Sequence, residues 1–244
     1  MKRSPALLLL AAVALVGLTV RLGLWQLDRA AQKIQRQDSI LLRQGLPSLP
    51  PGELARSAAG LDLQVHRPIE LEGRWAAEHT VYLDNRAMNA HAGFYVVTPL
   101  LLPDGTAVLV QRGWLPRDPL DRTRVEPRPT GQGLVRVQGR IAPPPARLFE
   151  FDGAASGPIR QNLDPEAFAL ETRLRLRPLS ILQLQPSQSL DGPVADGLLR
   201  DWPQPAADVH KHYGYAFQWF ALAALTLALY VWFQILRPWR KRSA

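Results

Sequence analysis

Two long apolar stretches, one near each end, dominate the hydrophobic pattern of the chain. The first, residues 6–20, contains only apolar and small residues, with Thr19 as its single hydroxyl. With its flanks it reaches about 20 residues, enough to cross a bilayer at about 1.5 Å per residue. The second, residues 213–236, carries no charge and has aromatic side chains near both ends, as membrane spans do at the two interfaces. The pattern predicts transmembrane helices over residues 1–24 and 210–236.

The first stretch has an alternative interpretation as a cleaved signal peptide, because Lys2 and Arg3 precede an apolar run of similar length. No small-x-small cleavage site follows Val20, and the next residues, Arg21 and Leu22, are bulky. We therefore expect a retained anchor.

The first helix is expected to continue beyond the membrane. No proline occurs between Pro5 and Pro47, so nothing interrupts a helix over that distance. Apolar residues then recur close to one face, at Leu24, Leu27, Ile34 and Leu41. This spacing predicts an amphipathic helical extension over residues 25–45 that packs on a domain.

The composition and the hydrophobic pattern of the chain change after residue 46. Twenty of the 22 prolines lie between Pro47 and Pro205, which excludes long helices there. Short alternating runs, at residues 69–72, 81–83, 134–139 and 179–185, predict strands. Residues 94–102 and 106–114 flank a Pro-Asp-Gly turn and predict a hairpin.

One short helix is expected among these strands, because Asp164 can cap it and Pro165 suits its first position. Residues 46–209 should therefore form a β-rich α+β domain, built as an antiparallel sheet or a barrel-like one. The predicted fold class is a membrane protein in which two transmembrane α-helices flank this extramembrane domain.

The distribution of charge favours a membrane surface over nucleic acid. The net charge is +8, yet residues 30–209 contain 20 basic and 20 acidic residues. The excess lies beside the apolar stretches, where it attracts anionic lipid and holds flanks in the cytoplasm. Arg21, Arg29, Lys33 and Arg36 weaken this bias on the far side of the first span. We expect no nucleic-acid partner, both termini in the cytoplasm, a translocated domain at 46–209 and a basic cytoplasmic tail at 237–244.

Composition adds two limits. The chain has no cysteine, which excludes disulfides, thiolate nucleophiles and cysteine-held metals. Only four of the 29 basic residues are lysine, and no Arg/Ser-rich transit peptide precedes the first span. These features favour a bacterial inner (plasma) membrane, with the domain in the periplasm, over an imported organelle protein.

No catalytic signature is present: the chain lacks G-x-S-x-G, a phosphate-binding glycine loop and H-E-x-x-H. We therefore expect no enzymatic activity. The polar clusters at residues 84–86 (DNR) and 111–114 (QRGW) fit turns and interstrand bonding better than catalysis.

The candidate chemistry lies at the outer end of the second span. His212, Tyr215 and Trp219 are spaced i, i+3 and i+7 and share one helix face. The histidine could ligate a haem iron with the rings packed on the macrocycle. Periodicity alone favours the simpler alternative, an interfacial histidine within an aromatic belt. Arg21 falls near the same membrane surface, where it could pair with a haem propionate or extend to lipid phosphates. His66, His79 and His91 are expected to be surface residues.

Six blocks of sequence, spread over most of the chain, resemble the motifs of a known protein family. They are 21–29 (RLGLWQLDR, with Lys33 after it), 73–75 (GRW), 83–86 (LDNR), 93–100 with 110–116 (GFYVVTPL, VQRGWLP), 160–164 (RQNLD) and 212–220 (HYGYAFQWF). In this order, and with the two-span layout, they resemble the Surfeit locus protein 1 family, the membrane assembly factors of cytochrome c oxidase. The chain is similar to its bacterial members.

The resemblance implies assembly of haem-copper oxidase. Some bacterial family members are reported to bind haem a, and the histidine matching His212 is the suggested iron ligand. Two positions depart from the family pattern: Lys211 stands where Asn is usual, and Gln111 replaces Asn in the central hairpin. The first departure places a cation beside the proposed ligand; the second keeps an amide.

These expectations combine into a leading function and an alternative. The leading one is an oxidase assembly factor that holds haem a transiently and assists its insertion into subunit I, with haem a synthase as a second partner and the lipid bilayer as its setting. His212 would ligate the iron, Tyr215 and Trp219 would pack the ring, and Arg21 would meet the propionates. The alternative is a haem-free membrane scaffold that stabilises subunit I during oxidase biogenesis.

Overall fold

The structure is a computed structural model that describes residues 5–121, 124–149, 157–203 and 209–238. The chain divides into two compact units: a helical unit, Met1–Ser39 with Pro205–Ala244, and a β unit, Ile40–Gln204. The described helices are α1 (Pro5–Gln44), α2 (Leu61–Gln64), α3 (Pro165–Thr172) and α4 (Val209–Val231). A π-helical turn, Trp232–Leu236, continues α4.

The chain has two candidate membrane helices, Ala6–Gln44 and Val209–Leu236, which lie in the helical unit except for residues 40–44 of the first. The most apolar 18 residues of these two helices have mean hydropathies of 2.4 and 1.8, and only 11 % and 6 % of them are buried. Long helices that expose this much apolar surface associate with a membrane, because water would not solvate them. The hydroxyls of Thr19 and Thr226 donate to carbonyls of their own helices, which satisfies them in an apolar setting.

α1 is one continuous helix of 40 residues, so no break separates the predicted span, 1–24, from the predicted extension, 25–45. That division stays a prediction. The helix ends at Gln44, just before Gly45 and Pro47, which are common after helix C-termini. The predicted tail, 237–244, lies outside the described residues from position 239 onward.

Within the helical unit, α1 and α4 pack against each other in opposite directions. Gln26 contacts His212, and Gly23, earlier on α1, lies against Phe220, later on α4. Thr19, Gly23, Ala216 and Ala223 are buried. Small side chains at a helix–helix contact permit close packing where lipid provides no hydrophobic drive.

The β unit is a barrel closed by five strands. These are β1 (Pro68–Trp75), β3 (His91–Leu101), β4 (Ala107–Pro116), β5 (Val135–Ala142) and β7 (Leu176–Gln183). Each pairs with two neighbours, in the cyclic order β1-β3-β4-β7-β5-β1. The barrel-like alternative for the fold class is thereby confirmed. The β4–β7 pairing is parallel, so the sheet is not purely antiparallel.

Four shorter or peripheral strands complete the sheet. β2 (Val81–Met88) pairs with β3, and β6 (Ile159–Arg160) pairs in parallel with β2. β8 (Gln188–Ser189) joins β5 and forms a small ladder with β9 (Gly192–Pro193). All the strands predicted from alternation are present.

The largest core cluster fills the barrel, because its members come from all five barrel strands. Those members include Ile69, Leu71, Leu100, Val108, Val110, Val135, Val137, Ile141, Leu179 and Ile181. The alternation of apolar and polar residues on β1 and β5 follows from one face pointing into this core.

Two local predictions are confirmed in detail. The hairpin β3–β4 closes around Asp104, whose carboxylate accepts from the backbone N–H and hydroxyl of Thr106. Gly105 occupies the left-handed region there, with φ of 75°. Helix α3 is capped by Asp164, whose Oδ1 accepts from the backbone N–H groups of Glu166 and Ala167.

Candidate functional site

The candidate site centres on His212, in the first turn of α4. Its Nδ1 lies 2.7 Å from Oε1 of Gln26 on α1. Both side chains are half-buried, and the contact joins the two helices of the helical unit. Packing of small residues further along the pair, at Gly23 and Ala216, brings the helices near enough for this bond.

This contact fits one tautomer of the imidazole. With the amide oxygen of Gln26 facing the ring as acceptor, His212 donates from Nδ1. In the neutral form of that tautomer, Nε2 keeps its lone pair. A neutral imidazole held through one nitrogen by an amide or carboxylate oxygen is the form that binds metals through the other.

Tyr215 and Trp219 continue the face of α4 that begins at His212. Trp219 is half-buried, whereas Tyr215 is 51 % exposed. Buried Ala216 lies between them in sequence and marks the packed seam of the helix. The structure therefore places an exposed ring and a partly covered ring on the same side of α4 as the imidazole.

Arg21 lies apart from this pair. It is exposed on α1, five residues before Gln26. Five residues correspond to about 7.5 Å along the helix axis and a rotation of about 140°. The residue that the structure brings to His212 is thus Gln26, and Arg21 points from another face of the same helix.

Sequence reasoning did not single out Gln26. It appears in the 21–29 block, but no local pattern indicates its partner, which is 186 residues away. The signal that could have found Gln26 is its position. It lies two residues after the end of the predicted span 1–24, level with the start of the second span.

The remaining histidines do not build a second site. His66 is half-buried, and burial lowers its pKa, with Arg140 and Arg43 acting in the same direction. His79 lies 3.9 Å from Glu78, and the ring of His91 contacts the carbonyl of Asn89. Among the described residues, no group of three His, Asp or Glu side chains is arranged to hold a metal ion.

Both polar clusters in the β unit have structural contacts, as expected. The guanidinium of Arg117 bonds Asp84, and Arg86 donates to the carbonyl of Gln161 at 2.9 Å. Gln111 donates to the hydroxyl of Ser180 across the parallel β4–β7 pairing at 2.8 Å. These bonds connect strands and loops, so the structural interpretation is confirmed for Asp84, Arg86 and Gln111.

Comparison with known proteins identifies the family. The model of the SURF1 family matches residues 13–224, a range that includes most of both long helices and the whole barrel. The chain belongs to the SURF1 family. This family is known generally as assembly factors of cytochrome oxidase and not as catalytic enzymes.

A curated relative gives a shorter match. A SURF1-like protein of Dictyostelium discoideum is 34 % identical over 59 residues, which is 24 % of this chain. The match spans about a fifth of that relative's length (22 %). The SURF1 match, in contrast, includes both Gln26 and His212, together with Arg21, Tyr215 and Trp219.

Proposed function

We propose that this SURF1-family chain is an assembly factor for cytochrome c oxidase that holds haem a and assists its insertion into subunit I. The family assignment supports the oxidase assembly role. The haem-holding role rests on one observation, the Gln26–His212 contact that leaves Nε2 of His212 available as a ligand.

The residues around His212 fit a haem group. Nε2 of His212 would hold the iron, and the haem would be the cargo that the oxidase needs. Exposed Tyr215 and half-buried Trp219 offer ring faces on the same side of α4. Arg21 is exposed on a different face of α1 from Gln26, so it would meet a propionate at the edge of the haem, away from His212.

A carrier must also release its cargo. His212 is the single histidine, cysteine or methionine in the described part of the helical unit that is held in place by a second side chain across the helix pair. Ligation through one histidine is exchangeable, whereas ligation by two strong ligands would retain the haem. Transfer to subunit I is therefore compatible with the site.

The proposed setting follows from charge and apolar length. The two candidate membrane helices and the basic flanks support a multi-pass protein of the bacterial inner membrane with cytoplasmic termini. The barrel would then be periplasmic and would face subunit I and haem a synthase. It is charge-balanced, which fits recognition of proteins better than of nucleic acid.

The test is an optical spectrum of detergent-purified protein co-expressed with the enzymes of haem a synthesis. We expect a haem a band in the wild type and in His210→Ala, and no band in His212→Ala. His210 is a matched control because it is exposed on α4 only two residues away, about 200° around the helix.

Two outcomes would contradict the proposal. A haem band retained in His212→Ala would remove His212 from the site. Absence of haem from the wild type would leave the haem-free scaffold as the function, and His212→Ala should then leave oxidase assembly in cells intact.

A further inference from the structure

One side of α1 forms an apolar groove of about 690 Å³. Its lining includes Gly17, Leu18, Arg21, Leu24, Trp25 and Asp28. Gly17 forms a notch in this lining, because a Cβ at that position would meet nothing within 4 Å. The groove therefore begins in the apolar run, residues 6–20, and ends among the first charged residues that follow it.

The groove faces away from α4. Gly23 and Gln26 mark the side of α1 that packs on α4. Arg21 and Leu24, which line the groove, each precede one of these two residues by two positions, and two positions correspond to a rotation of about 200° on a helix. Both side chains are exposed, Leu24 by 56 %. An exposed apolar face on a membrane-length helix is open to the bilayer.

Two opposite charges line this groove, and each lacks a counter-ion. None of the carboxylates that the structure describes lies within 4 Å of the guanidinium of Arg21. Asp28 accepts from the side-chain amide of Gln32 at 2.8 Å, and no described cation lies within 4 Å of its carboxylate. Charges at the end of a membrane span are stabilised by groups of opposite sign. The two side chains together fit a ligand that carries a negative and a positive group.

Helix geometry sets the distance between these two charges. Arg21 and Asp28 are seven residues apart, which is about 10.5 Å along the helix axis with a difference of only about 20° in rotation. Trp25 lies between them, 48 % exposed, and the guanidinium of Arg29 lies 5.5 Å from the centroid of its ring. Tryptophan at the end of an apolar run favours the level of the lipid headgroups. The charged end of the groove therefore lies at the membrane interface, and the Gly17 end lies among the hydrocarbon chains.

We propose that this groove binds one molecule of phosphatidylethanolamine. Arg21 holds the phosphate, Asp28 holds the ammonium, and an acyl chain lies along Leu18 and the notch at Gly17. The charges of the groove select this lipid. Phosphatidylglycerol has the phosphate but offers no cation to Asp28, and the ammonium of phosphatidylcholine has no N–H to donate.

The lipid site does not depend on haem binding. It lies on a different face of α1 from Gln26, the residue that contacts His212. Arg21 would become available to a haem propionate only after the lipid had left. The test therefore uses haem-free protein.

The test is native mass spectrometry of the full chain, released from detergent with added phosphatidylethanolamine, phosphatidylcholine or phosphatidylglycerol of identical acyl chains. We expect one phosphatidylethanolamine molecule to stay bound to the wild type more strongly than either of the other lipids. Arg21→Gln should weaken its binding by roughly tenfold or more, as expected for loss of a charge-assisted hydrogen bond. Asp28→Asn should abolish the preference for phosphatidylethanolamine over phosphatidylglycerol.

Gly17→Leu tests the apolar part of the groove. The larger side chain fills the notch and should also weaken binding, while the open space around Gly17 lets the helix pair form unchanged. Ala11→Leu is the matched control, because it adds bulk at an exposed position on the same helix, about 120° around from Gly17.

The control for charge is Arg36→Gln, which removes the same charge from an exposed position of α1 outside the groove. Both control variants should bind the lipid as the wild type does. Equal retention of the three lipids by the wild type, or equal weakening in Arg21→Gln and Arg36→Gln, would overturn the proposal. Impaired oxidase assembly in Gly17→Leu with unchanged lipid binding would overturn it as well, and would assign the groove to a helix of a partner protein.

Discussion

His212 Nδ1 and Gln26 Oε1 lie 2.7 Å apart and join the two long helices of the helical unit at one hydrogen bond. With the amide oxygen as acceptor, the bond uses the Nδ1–H tautomer and orients the ring, two properties that decide where the Nε2 lone pair points. Gln26 can therefore influence how His212 binds a metal without itself contacting that metal.

Gln26→Leu should disturb His212 without removing it. The leucine offers no acceptor, so Nδ1 loses its partner and the imidazole samples both tautomers and more than one orientation. We expect haem a affinity to fall by roughly 10- to 100-fold, the usual cost of losing such a supporting contact. Histidine-selective ¹⁵N NMR of the haem-free protein would show the tautomer change directly.

Gln32→Leu is the matched control, because Gln32 bonds Asp28 on the same helix and is exposed. It should alter neither the tautomer nor haem affinity. Haem affinity unchanged in Gln26→Leu, in a protein that binds haem through His212, would show that Gln26 has no positioning role.

The glycines of α1 should differ sharply in their tolerance of a methyl group. A Cβ on Gly23 would lie 2.7 Å from two ring carbons of Phe220, whereas one on Gly17 would meet nothing within 4 Å. Gly23→Ala should destabilise the helix pair by about 1–3 kcal/mol through overpacking. Gly17→Ala should not destabilise it, since alanine is the better helix former.

Thermal unfolding in detergent measures both variants. Combining Gly23→Ala with Phe220→Leu should restore part of the loss, because the smaller side chain frees the space. Equal stability of the two single variants would contradict the packing of Gly23 against Phe220.

Asp104 should make the β3–β4 hairpin sensitive to acid. Bonds from Thr106, with Arg177 as a lesser cause, lower the pKa of Asp104 from 3.8 to about 2. A lowered pKa in the folded state stabilises the fold above the ordinary value, and this contribution is lost as the pH falls from about 4 through 2. Asp104→Asn should therefore lower stability at neutral pH and flatten its decline between pH 4 and 2.

The effect should be modest, because about a third of the aspartate side chain (32 %) is exposed and solvent screens it. Unfolding by urea, followed as a function of pH, measures it. Asp191→Asn, in the turn between β8 and β9, is the control and should keep the wild-type pH profile. Parallel profiles for wild type and Asp104→Asn would contradict the assignment.

Secondary structure could be predicted where the residues that determine it are neighbours in the chain. The α1 helix follows from an apolar run without proline, and the α3 cap from Asp164 before Pro165. The hairpin follows from a Pro-Asp-Gly turn between β-prone runs. In each case the backbone conformation depends on side chains a few positions away, so the pattern carries the information.

The sequence by itself thus determined two membrane-length helices, their basic flanks and a strand-rich middle. These features depend on the preference of each side chain for water or for an apolar environment, which is a property of the residue itself. Only the tertiary structure decided the rest. Barrel closure needs the parallel β4–β7 pairing, whose bond from Gln111 reaches Ser180, 69 residues on. The β-bulge at Arg112 in β4 and the bond from His212 to Gln26 likewise depend on partners distant in the chain. Such contacts arise from packing, which brings together residues that no local pattern relates.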